Sequence, residues 1–80
     1  MTSKDNATRS FSVHARSSHA RHAHEVQESS FEAAAVAYVE DHHSALHGEP
    51  EISVIVRDLG SGHEHCFRID LDTGTTASCG

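Results

Sequence analysis

The sequence has no tryptophan, one tyrosine, one proline and two cysteines, and only six lysines and arginines against twelve acids. Each shortage narrows the reading. Two cysteines, Cys66 and Cys79, are too few for a disulfide framework, so the expected compartment is the cytoplasm, with both thiols reduced. No apolar run approaches the ~18 residues needed to cross a bilayer. Nor does an apolar stretch follow the charged start, as it would in a secretory leader, so no membrane partner is expected. The few bases are also unevenly placed. Residues 1–24 hold Lys4, Arg9, Arg16 and Arg21 against Asp5, a net +3, whereas residues 25–80 hold Arg57 and Arg68 against eleven acids, a net −9. An acidic body repels phosphate backbones, so no nucleic acid is expected on it. A chain of 80 residues holds one modest core and has little room for a deep cleft besides, which argues against an enzyme.

The foldable part follows a polar start. Residues 1–9 show no apolar periodicity and are expected to form a disordered leader to a single domain over 10–80. Phe11, Val13 and Ala15 alternate with Ser12, His14 and Arg16, the period of a half-buried strand. SSHARHAH lacks an apolar anchor and reads as a loop, and HEVQE offers an optional short strand through Val26. A helix then opens, with Ser29 as its cap and Glu32 closing a capping box three residues on. Phe31, Ala34, Ala35, Tyr38, Val39, His42 and Leu46 form one stripe, and Gly48 and Pro50 stop the helix. Glu32 suits its positive end, and His42, His43 and His47 its negative end.

Two strands follow. A four-residue loop, Leu59 to Gly62, between them sets Ile52 opposite Ile69, Val54 opposite Phe67 and Val56 opposite His65, leaving one face apolar. On the other face Ile55 meets Cys66 and Arg57 meets Glu64, an opposite-charge pair. Asp72-Thr73-Gly74-Thr75 reads as a second turn, and TTASCG as at most a brief edge strand. The expected class is α+β, one helix on a three- to four-stranded antiparallel sheet in the order β-(β)-α-β-β. No internal repeat is visible.

Nine histidines are the main chemical excess. Imidazole suits zinc and nickel, so His19, His22, His24, His43, His47, His63 and His65 are candidate metal ligands. Their spacing matches no fixed zinc framework. His63 and His65 leave a strand on one side and Cys66 on the other, so the three do not converge on one ion. His43 and His47 stand four residues apart, a spacing that can hold a metal. Asp72-Thr73-Gly74 is similar to an aspartic protease loop, but that chemistry needs two such loops sharing a proton. The turn reading is preferred, and no catalytic residue is assigned.

The segments SSFEAAAVAYVED and ISVIVRDLGSGHEHCFRIDLDTG together resemble a small bacterial family of uncharacterised proteins. The resemblance spans about residues 11–79, rests on a helix start and two turns, and implies no activity and no catalytic residue. A looser likeness is to small antitoxin-type folds, from which the chain departs because no DNA-binding segment follows. The function expected is a non-enzymatic protein-interaction module, binding an unknown protein or a second copy through a surface containing Ile55, Cys66 and Arg57. The alternative is a histidine-based metal-binding protein, with zinc as the possible cofactor; otherwise no cofactor is expected.

Overall fold

The computed structural model describes residues 8–16, 23–42 and 48–79. Their elements are β1 (Arg9–Ala15), β2 (His24–Glu28), α1 (Phe31–Asp41), β3 (Glu51–Asp58), β4 (Glu64–Asp70) and β5 (Thr76–Ser78). All strand pairs are antiparallel, in the order β2-β1-β3-β4-β5. The α+β class holds, but the sheet has five strands and not three to four, because both optional segments pair. Val26 comes opposite Phe11 and packs on the core, and Thr76–Ser78 pairs with Phe67–Ile69. With β1 between β2 and β3, the chain crosses the sheet through α1, which packs on β1 to β4.

The predicted hairpin register is present pair for pair, from Ile52–Ile69 to Arg57–Glu64. Alternation sends Phe11, Val13, Val54 and Val56 to the helix side, where all four are fully buried. Above them lie Ala34 and Ala35, also fully buried. Two adjacent residues without long side chains let the helix backbone approach the sheet, while Tyr38 and Val39 close the margin. The predicted stripe is therefore real from Phe31 to His42; Leu46 lies outside the described residues.

Both helix ends differ from expectation. The cap is Ser30, one residue later than Ser29: its hydroxyl accepts the Ala33 N–H at 3.1 Å and its carbonyl accepts the Ala34 N–H at 3.0 Å. Phe31 becomes the first helical residue and meets the Phe11 ring edge-on at 5.0 Å, so core contact sets the start and Glu32 is one position short of a capping box. At the other end the α-helix stops at Asp41, with His42 as its C-cap, ahead of the Gly48 and Pro50 signals. His43 and His47 lie outside the described residues.

The two hairpin turns are copies of one device that periodicity passes over. In Asp58-Leu59-Gly60-Ser61-Gly62, Asp58 Oδ1 accepts the N–H groups of Gly60 and Ser61 at 2.8 and 3.2 Å, and the Gly62 N–H returns to the Asp58 carbonyl at 2.7 Å. In Asp70-Leu71-Asp72-Thr73-Gly74, Asp70 Oδ1 accepts from Asp72 and Thr73 at 2.8 and 3.2 Å, and Gly74 returns to the Asp70 carbonyl at 2.8 Å. The closing glycines have φ of 83° and 79°, the left-handed region where a Cβ is strained. The preferred turn reading of Asp72-Thr73-Gly74 is thus the one the backbone adopts.

Asp58 differs from Asp70 in being buried, at 3% exposure. Its Oδ2 accepts Arg9 Nη1 at 2.9 Å, and the guanidinium lies over the rings of Phe11 and Phe31 at 5.1 and 5.7 Å. The Gly60 N–H is the main cause holding the carboxyl below its ordinary value of 3.8; Ser61, Arg9 and His63 act the same way and burial opposes them. A carboxyl with a depressed folded pKa stabilises the fold above its unfolded pKa, and that contribution is lost as pH falls through the folded value. Asp58→Asn is therefore expected to lower the melting temperature at neutral pH, where its amide faces Arg9, and to flatten the acid limb below about pH 4. Melting curves from pH 7 to 2 check this; parallel curves for variant and wild type would remove Asp58 from the acid response.

Candidate functional site

Among the described residues, one helix covers one face of the sheet. The opposite face presents Ile55 of β3 at its middle, flanked in register by His14 of β1 and Cys66 of β4. The predicted surface residues Ile55, Cys66 and Arg57 do share this face, with Ile55 half-buried and Arg57 exposed. Around Ile55 the ladder places Arg57, Arg68 and, just past β1, Arg16, together with Glu25, Glu51 and Glu64. Asp70, opposite Glu51, shares this face, so the face holds three bases and four acids. Arg68 Nε stands 3.8 Å from Glu51 Oε1, both side chains about half exposed, so this pair adds little to stability. The concavity beside Ile55 is lined by Arg16, Glu64, Cys66 and Cys79. A second, smaller hollow of about 130 Å³ lies between α1 and the β4–β5 turn, against Val36, Val39, Ile69 and Leu71. It is too small for a typical organic ligand.

The cysteines correct the expectation of reduced thiols: Cys66 and Cys79 form a disulfide. The pairing of β5 carries Cys79 opposite Cys66, with a Cα–Cα distance of 5.3 Å and the Cys79 N–H on the Cys66 carbonyl at 3.0 Å, within the range a disulfide spans. The cytoplasmic assignment rested on free thiols and loses that support. No helix among the described residues is long and apolar enough to cross a membrane.

Of the seven histidines singled out as metal ligands, His24, His63 and His65 fall within the described residues, and the structure does not bring these three together. His63 is exposed in the β3–β4 turn, and His65 sets its ring against Phe31 at 4.3 Å on the helix side. Cys66 points to the other face, as its strand position requires. His19, His22, His43 and His47 lie outside the described residues. Among the described residues no group of three or more His, Cys, Asp or Glu side chains is placed to hold a metal ion. His24 instead meets His42, a residue the sequence placed on the helix stripe but not among the ligands. Their Nε2 atoms are 3.1 Å apart, and His42 Nδ1 lies 2.8 Å from the Tyr38 carbonyl oxygen. The available signal was that stripe: a histidine four residues after Tyr38 shares the face turned towards β2.

The profile of a family of unknown function (DUF5961) matches residues 9–80, and the chain belongs to that family. No curated protein and no solved structure matches the chain.

Proposed function

We propose that this member of DUF5961 is a non-enzymatic protein-interaction module whose sheet face opposite α1 takes a second copy of the chain. Ile55 carries the reading: an aliphatic side chain at the centre of the face opposite α1, beside the Cys66–Cys79 disulfide and among three arginines, three glutamates and Asp70. Charge selects the occupant. The helix side offers Glu32, Glu40 and Asp41 with no lysine or arginine on α1, so two copies meeting there would repel. The sheet face mixes three arginines with four carboxylates, so each arginine can meet a carboxylate of the other copy around a two-fold axis, which is the self-complementarity an isologous contact requires.

Sedimentation over a concentration series tests this. The wild-type chain is expected to pass from monomer to dimer, and Ile55→Glu, which sets two carboxylates near the axis, to weaken the dimer at least tenfold, about 1.4 kcal/mol. Arg57→Glu makes the face more acidic and is expected to act in the same direction. Amide spectra confirm that each variant is folded. A wild-type chain that stays monomeric at its highest attainable concentration, or a dimer indifferent to both changes, overturns the reading.

A further inference from the structure

His24, the first residue of β2, and His42, the C-cap of α1, bring two imidazoles together on the helix side of the sheet. Their ring centroids are 4.3 Å apart and their Nε2 atoms 3.1 Å apart. His42 is held twice. Its ring stacks on Tyr38 at 4.3 Å with 22° between the planes, and its Nδ1 lies 2.8 Å from the Tyr38 carbonyl oxygen. A carbonyl only accepts, so the proton of the neutral ring sits on Nδ1, and Nε2 presents its lone pair towards His24. Histidines that bind metals are oriented in this way, with the second ring nitrogen donating to a backbone carbonyl or carboxylate. Two nitrogens each about 2.0–2.1 Å from one ion, at tetrahedral to octahedral angles, stand roughly 2.9–3.4 Å apart. The observed separation falls inside that interval. His24 is exposed and His42 half-buried, so an ion reaches both without unfolding.

We propose that His24 and His42 together bind one borderline divalent transition-metal cation of the zinc class through their Nε2 atoms, with water completing the coordination. The ion replaces the single N–H···N contact between the rings and ties the edge strand β2 to the C-terminus of α1. The net −9 of residues 25–80 raises the local concentration of cations. Because the pair lies on the helix side, the site stands or falls independently of self-association through the opposite face.

The test is a titration of the full-length, nitrogen-15-labelled chain with Zn²⁺ alone at neutral pH, following all nine imidazoles by long-range proton–nitrogen spectra. Saturation at one ion per chain is expected, with the largest Nε2 shifts at His24 and His42. His24→Gln and His42→Gln are each expected to weaken binding at least tenfold, and His63→Gln to leave it unchanged. Shifts spread over all nine imidazoles, or centred on others, overturn the proposal, as does wild-type affinity in either variant. The wild-type shift pattern decides the matter even if a variant folds poorly.

Discussion

Phe11→Ala is expected to remove a large part of the stability of this domain. Phe11 is fully buried, lies opposite Val26 and Asp58 in the two ladders that flank β1, and meets Phe31 edge-on at 5.0 Å. Truncating a buried phenylalanine to alanine costs about 3–5 kcal/mol, through lost transfer energy and the cavity left behind. A chain of this length has about 4–12 kcal/mol in total. The variant also strips one of the two rings from beneath Arg9, and so loosens the ion pair to buried Asp58. Thermal unfolding followed by circular dichroism should show a variant partly unfolded at 37 °C. Leu59→Ala, at a side chain 48% exposed, is the internal control and should shift stability by less than about 0.5 kcal/mol. Equal melting temperatures for the two variants would place the core elsewhere.

Reducing the Cys66–Cys79 disulfide is expected to have the next largest effect. The bond closes a loop of sequence separation 13, and loop-closure entropy assigns such a constraint about 3 kcal/mol through the unfolded chain. In a domain of this size that corresponds to a fall in melting temperature of roughly 12–24 °C. The loss should be uneven. β5 has three residues and, among the described residues, pairs only with β4, so without the disulfide its edge position rests on three register pairs. Hydrogen exchange at Thr76–Ser78 should accelerate most, while β1 and β3 at the centre keep their protection. Cys79→Ser should reproduce the effect of reductant. A variant that melts with the oxidised wild type would mean that the disulfide constrains nothing the rest of the fold does not already constrain.

The proposed self-association face and the imidazole pair lie on opposite sides of one sheet, and both depend on what its faces expose. Side-chain alternation decided that much of the site in advance. Once Val54 and Val56 face the core, Ile55 and Arg57 must face away, and once Phe67 faces the core, Cys66 must join Ile55. The surface of Ile55, Cys66 and Arg57 was therefore legible from period-2 alternation and one hairpin register. The histidine pair was not. His24 and His42 are eighteen residues apart and belong to a strand and a helix whose relative placement no local periodicity encodes.

The sequence by itself determined whatever depends on neighbours along the chain. The alternation of Ile52 to Val56 and of Phe67 to Leu71, with a glycine-rich loop of set length between them, defined the hairpin down to its register. Alanine content and the Phe31-to-His42 stripe defined the helix and its buried face. Tertiary structure decided what depends on distant partners. Val26 alone is too weak a signal for β2, and Thr76–Ser78 too short for β5; each becomes a strand because a neighbour supplies its ladder. Contact between Phe31 and Phe11 moved the cap from Ser29 to Ser30, since two adjacent serines are equivalent until the core chooses between them. Cys66 and Cys79 read as free thiols until β5 set them opposite each other at 5.3 Å. Local propensity selects among conformations that differ by fractions of a kcal/mol per residue, whereas burying Phe11, Val13, Val54 and Val56 against one helix contributes several kcal/mol at once. Where the two disagree, at the edges of the sheet and the ends of the helix, packing prevails.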